Sequence, residues 1–347
     1  MLFRFEKPDK AQLAVMDAVI RSGKKGCRYA LPQMDEATAS GLAFLVGELE
    51  KVEPALMEPL TSVTWQRDLV PKTGGGFVDS VSTYAVSYGT SAPDEEALIY
   101  NGTTAIPTAQ ADITKDRYKT ITFAENFQVS YLNQEALRQI PRSMDEIMDN
   151  SVKLNWSKLL DKNAYKGMKK LDTYGLTNNP DVVASTAANG AAGTATWSTK
   201  TPGEILADVN AVLAAQWAAV EYDVSAMANH ILVDPQNFGY IATQPVSEAG
   251  NESILSYVKR NCLAAAQNVD LVFVPCRQCM GAGTGSTNRL VAYCNDESKI
   301  DFDITMPLSR VMTSVSAEKM AYVNAYAGQL SQVKFKYPQT LRYLDGI

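Results

Sequence analysis

The segment from Ser143 to Lys170 constrains this chain more than any other, because its side chains repeat with the period of one long helix. Ser143 and Glu146 have capping-box spacing, in which the Ser hydroxyl takes an orphan amide and the Glu carboxylate returns to the Ser amide. Pro141, just upstream, fits a boundary. Met144, Ile147, Met148, Val152, Trp156, Leu159, Leu160, Ala164 and Met168 follow at steps of three and four, which gathers them into one apolar stripe. Lys153, Lys158, Asp161 and Lys162 are expected on the opposite face. At about 1.5 Å per residue such a rod is roughly 40 Å long, so something large must pack along it. It runs straight into Tyr174-Gly175-Leu176-Thr177-Asn178-Asn179-Pro180.

Composition limits what that partner can be. With 347 residues, 46% of them hydrophobic, the chain can form two or three lobes with real cores and is neither disordered nor fibrous. Lys plus Arg number 32 against 38 Asp plus Glu, a formal charge of -6, so the surface as a whole is not built to grip nucleic acid. Residues 1 to 30 run the other way, with seven bases against three acids; they fit either a phosphate neighbour or a solvated helix face. No apolar run approaches membrane-spanning length and the first residues are charged rather than signal-like, so no membrane partner is expected and folding is expected in a cytoplasm. Five cysteines, an odd number in a long chain, agree with a reducing compartment.

Residues 1 to 36 read as an arm, and 37 to 52 carry a second helical pattern. From Trp65 to Ile113 glycines punctuate short alternating strands such as Val78 to Tyr88, with little to form a core; the pattern predicts a long hairpin projecting from the body. Tyr118 to Tyr131 reads as a strand leading into the rod. Thr201-Pro202-Gly203-Glu204 starts a helix, with Thr as N-cap, Pro at the first helical position and Glu at the third. Helices near 235 to 242 and 254 to 266 then alternate with strands at 231 to 233, 271 to 274 and 290 to 293, which predicts an α/β lobe over about 201 to 310. The tail from Met320 to Tyr343 returns to strand character.

Chemistry has few footholds. The single histidine, His230, excludes any mechanism that needs a His pair, and no nucleophile elbow accompanies it. Cys276 and Cys279 form one Cys-x-x-Cys, capable of redox work or of half a zinc site, but the second pair is missing; a thiol or zinc enzyme is the lesser alternative and ordinary loop cysteines the simpler one. Gly281, Gly283 and Gly285 form a turn without the Gly-Lys-Ser or Gly-Lys-Thr of a phosphate loop. Asp94-Glu95-Glu96 and Asp301 with Asp303 lack the ligand ladder of a calcium loop and read as solvated charge. No catalytic, metal or cofactor residue is therefore assigned, and none of these groups predicts an enzyme.

Taken in order, Phe44-Leu45-Val46-Gly47-Glu48-Leu49-Glu50-Lys51-Val52-Glu53-Pro54, Asp68-Leu69-Val70-Pro71, the Tyr174 to Pro180 motif, Trp197 ahead of Thr201-Pro202-Gly203-Glu204, and the closing Arg342-Tyr343-Leu344-Asp345-Gly346-Ile347 resemble a bacteriophage major capsid protein of the Hong Kong 97 type, a fold shared with encapsulins. The resemblance covers nearly the whole chain and implies an α+β fold. It implies an N-terminal arm at 1–36, an extended loop at 67–113 reaching over a neighbouring subunit, a peripheral domain from 37–66, 114–200 and 317–347 with the spine helix at 143–170, and an axial domain at 201–316. It also implies a structural protein that self-assembles into hexamers and pentamers of an icosahedral shell around double-stranded DNA. Implied partners are other copies, a portal, a separate scaffolding or decoration protein, and DNA held without specificity; the place is the virion, assembled in a bacterial cytoplasm. An encapsulin-like compartment is the alternative within the fold.

Overall fold

The structure, a computed structural model, describes residues 59, 61–90, 108–131, 144–247, 250 and 252–347. The chain divides into two compact units, Met1–Leu60 and Thr61–Ile347, and every element below belongs to the second. The expected arm, the helical pattern at 37 to 52, the Ser143 cap and the Asp94-Glu95-Glu96 cluster lie outside the described residues.

Two short elements open the described part: helix α1 (Trp65–Asp68) and strand β1 (Pro71–Thr73). The long helix, α2, spans Met144–Lys166 and so stops short of the expected Lys170. Gly167 ends it by taking a φ of 62°, a left-handed value that a side chain disfavours, and its amide bonds the Asn163 carbonyl at 3.1 Å. A helix leaves its last carbonyls without partners, and here the Tyr174 to Asn178 segment supplies them. The Leu176 and Thr177 amides donate to the Ala164 and Tyr165 carbonyls at 3.0 Å, and Asn178 Nδ2 donates to the Lys166 carbonyl at 2.8 Å. The motif seen in the sequence is the cap of the rod.

Val152, Trp156, Leu160 and Ala164 are buried as the stripe predicts, but Ile147 is exposed and Asp161 is buried. Both departures come from the helix sinking deeper toward its C-terminal end, where the Asp161 carboxylate accepts the Thr64 amide at 2.9 Å. Beneath α2 lies a four-stranded antiparallel sheet in the order β2 (Ser80–Thr90), β3 (Ala109–Ser130), β10 (Ala321–Ser331), β9 (Met306–Ser316). Phe123 meets Trp156 with ring centres 5.4 Å apart, and Phe127 stacks on Tyr326 at 5.8 Å. Gly328 gives the indole room where it presses on the sheet, since a Cβ there would stand 3.0 Å from Trp156 Cη2. The stripe thus packs on the 118–131 and 320–337 strands, each fully buried large apolar side chain contributing about 1.5–3 kcal/mol.

The other half is organised by a five-stranded mixed sheet in the order β4 (Ala184–Thr186), β12 (Leu341–Asp345), β7 (Arg289–Tyr293), β5 (His230–Val233), β6 (Val272–Pro275). Helix α3 (Pro202–Ala219) starts with the full capping box at Thr201 and Glu204 and buries Ile205, Val209, Val212 and Leu213. Helix α4 spans Pro235–Thr243. The helix expected over 254 to 266 is two, α5 (Ile254–Asn261) and α6 (Leu263–Ala266), because Cys262 between them is extended. A small sheet of β1, β8 (Ile300–Ile304) and β11 (Val333–Phe335) joins the halves, with Trp65 set edge-on against Phe302 at 5.5 Å.

Three segments sit differently from the sequence boundaries. Residues 67–73, counted with the extended loop, are held in the body, where Asp68 and Leu69 are buried and β1 pairs with β8; the projecting ribbon begins at Ser80. Strand β9, counted with the axial part, is hydrogen-bonded along β10 under the long helix. Strand β12, from the tail, is inserted between β4 and β7.

Candidate assembly surface

The described groups that carried chemical interest in the sequence are engaged in the fold. His230 opens β5 half-buried, its Nδ1 3.0 Å from Asn229 Oδ1, and burial lowers its basicity. Cys276 and Cys279 are buried; a hydrogen bond to Cys276, followed by burial, pushes the Cys279 thiol well above its ordinary range, the opposite of what a nucleophile or metal ligand needs. Among the described residues no group of three or more His, Cys, Asp or Glu is placed to hold a metal ion. The thiol or zinc alternative is therefore not favoured.

The glycine turn does cradle an anion, but one of the protein's own. The Thr284 amide and hydroxyl donate to Asp345 Oδ2 at 2.9 and 3.0 Å, and Arg289 Nε and Nη2 clamp the same carboxylate at 2.7 and 2.8 Å. Burial pushes the Asp345 carboxyl up, yet the Arg289 and Thr284 hydrogen bonds outweigh it and hold it below the usual carboxylate range. Asp301 and Asp303 are not solvated, as the sequence suggested; they lie buried on β8. Lys334 Nζ reaches them at 3.1 and 2.7 Å, and Lys336 Nζ reaches Asp301 at 2.9 Å. These clusters bind the chain to itself.

What the fold leaves unsatisfied is the ribbon of β2 and β3. Their register places Tyr84 opposite Lys115, Val86 opposite Ile113 and Tyr88 opposite Ala111. Side chains two apart share a strand face, so all six sit on one side. Tyr88 is 85% exposed, Tyr84 67%, Ile113 65% and Val86 48%, while the other side carries Thr83, Ala85, Ser87, Asp112, Thr114 and Asp116. The 11 residues of β2 extend about 37 Å at the rise of an antiparallel strand, and among the described residues no second layer covers the aromatic side. The alternation of Tyr84, Val86 and Tyr88 was the available sequence signal; its meaning needed the register, which shows the opposite strand adding Ile113 to the same patch.

The sequence profile of the major capsid protein family matches residues 95–347. This chain belongs to that family. Searched against solved structures, the capsid protein is similar to the capsid of Myoviridae phage XM1, with a TM-score of 0.71 and 16% identity, over 87% of this chain and 98% of that one. It is similar also to a chain of Microbacterium phage Oxtober96, with a TM-score of 0.57 and 14% identity over 90% and 99% of the two chains. The capsid of a native GTA particle aligns with a TM-score of 0.58 and 11% identity, again over 90% and 99%. At such identities the likeness concerns the fold, which is the α+β capsid fold of the Hong Kong 97 type. No curated protein sequence matches. The major capsid protein is thus a structural subunit of a virion shell that assembles with copies of itself.

Proposed function

We propose that this capsid protein closes into hexamers and pentamers of an icosahedral shell around double-stranded DNA, with no catalytic role of its own. The observation that carries the reading is the β2–β3 ribbon, which has an aromatic face and, among the described residues, no second layer. A two-stranded ribbon is marginal in water, and a neighbouring copy that covers this face supplies the missing burial. One subunit making several weak, non-equivalent contacts can then serve both kinds of ring. In this reading residues 1–36 are the arm, 67–113 the extended loop with its projecting part from Ser80, and 201–316 the axial domain. Residues 37–66, 114–200 and 317–347 are the peripheral domain of this reading, the one that contains α2. A portal, a separate scaffolding or decoration protein, and assembly in a bacterial cytoplasm complete it.

The test is electron microscopy of the expressed chain together with nuclease treatment of the particles. Closed shells that protect double-stranded DNA in a packaging host support the proposal. Shells filled only with protein cargo point to a compartment of the encapsulin kind, and a strictly monomeric product at every salt and concentration overturns the shell itself.

A further inference from the structure

We propose that the lysine row along the C-terminal half of α2 is the surface with which this protein holds the phosphate backbone of double-stranded DNA, an inference that rests on reading the shell as a DNA container. Lys158, Lys162 and Lys166 recur every four residues, so they stand on one helix face about 6 Å apart along the axis. Lys169 and Lys170 extend the row through the following 3-10 turn (Lys169–Leu171), and all five are exposed. None has an ion-pair partner among the described residues. The nearby carboxylates are turned to other work: Asp161 accepts the Thr64 amide, Asp172 the Tyr174 hydroxyl at 3.0 Å, and Glu125 the Asn155 amide group at 3.0 Å.

Like charges four apart oppose helix formation, so the row costs the fold stability that no internal contact returns. The helix dipole accounts for cations in the last turn only, which leaves Lys158 and Lys162 unexplained. The N-terminal half is the reverse, with Asp145, Glu146 and Asp149, and its Lys153 is paired to Asp149 at 2.6 Å. The basic line also continues beyond the helix. Lys119 Nζ donates to the Leu171 carbonyl at 2.8 Å, which sets its cation beside the end of the row, whereas Lys115, opposite Tyr84, lies on the aromatic face of the ribbon and is not counted with it. In a chain of net charge -6 this is segregation of charge.

A protein partner fits the row poorly. Interface centres are depleted in lysine and built on apolar or aromatic anchors, and the exposed Leu171 of the row's last turn stands at its end, with no exposed large apolar side chain among the lysines from 158 to 170. Duplex DNA presents about one charge per 1.7 Å of axis whatever its sequence, which a flexible line of ammonium groups can follow.

The experiment compares the full chain with Lys158→Glu/Lys162→Glu/Lys166→Glu and with the corresponding triple Arg variant. Fluorescence anisotropy of a short labelled duplex against unassembled protein is recorded across salt, and the same preparations are imaged after assembly. The Glu variant should bind more than about tenfold more weakly at low salt and lower the log–log salt slope by about 2–3, while the Arg variant binds like the parent. Unchanged affinity and slope in the Glu variant, or no binding by the parent, overturns the inference. So does a folded Glu variant that keeps its DNA affinity but no longer forms shells, which would assign the row to an acidic surface of another copy. A parent that forms no shells, yet loses DNA affinity with the Glu substitutions, removes the container reading and leaves the lysine row as a polyanion surface.

Discussion

Gly175 stands where two backbones touch, and its lack of a side chain decides whether the long helix can be capped. A Cβ at this position would lie 2.6 Å from the Lys166 amide nitrogen and closer still to the Tyr165 carbonyl, backbone atoms that cannot swing aside. Gly175→Ala is therefore expected to destabilise the unassembled protein by about 1–3 kcal/mol, read from the midpoint of urea unfolding. Arg289 and Asp345 give a residue-scale prediction with a pH signature. Because the folded Asp345 carboxyl lies below its ordinary value, the pair's stabilisation is present above about pH 4 and is lost as pH falls through the folded value. Removing the guanidinium strands a buried carboxylate, so Arg289→Gln should cost about 3–5 kcal/mol at neutral pH. The gap between variant and parent should narrow in unfolding measurements as pH falls toward about 4 and below, first because the stranded carboxyl, buried without its guanidinium, takes up a proton, and then because the parent's pair is itself lost. A gap that stays constant with pH would assign the loss to packing alone.

At the scale of elements, the ribbon separates folding from assembly. Tyr84, Val86 and Tyr88 are exposed in the subunit, so replacing all three with Ser should leave its unfolding curve within about 0.5 kcal/mol per site of the parent. The same variant should fail to form shells, as followed by light scattering and microscopy. Normal shells from it would move the essential contact elsewhere. Elements with a strong local period were legible in the sequence: the capping box of α3 appears where Thr201 and Glu204 placed it, and the stripe of α2 holds from Val152 to Ala164. What the sequence missed depends on distant residues. Asp161 looks solvated until Thr64 arrives to use it, Asp301 and Asp303 look like loop charge until Lys334 and Lys336 cross the same sheet, and residues 71–73 look like loop until β8 pairs with them. The candidate surface was half legible, since Tyr84, Val86 and Tyr88 alternate openly, whereas Ile113 joins them only through the register. Long-range pairing leaves no local period to read.

For the whole molecule, the order of strands in the larger sheet ties shape to synthesis. β12 lies between β4 and β7, and it brings Tyr343 into the core and Asp345 onto Arg289. It is also made after β4, β5, β6 and β7, with which it must share a sheet. A nascent chain thus cannot close this sheet while residue 345 is still inside the ribosome, whatever the rest of it has done. Chains broken off before that point lack the strand that joins β4 to β7, and the gap exposes edges to be cleared by quality control rather than surfaces fit for a lattice. The sheet order acts as a timer that favours chains made past residue 345 over shorter fragments.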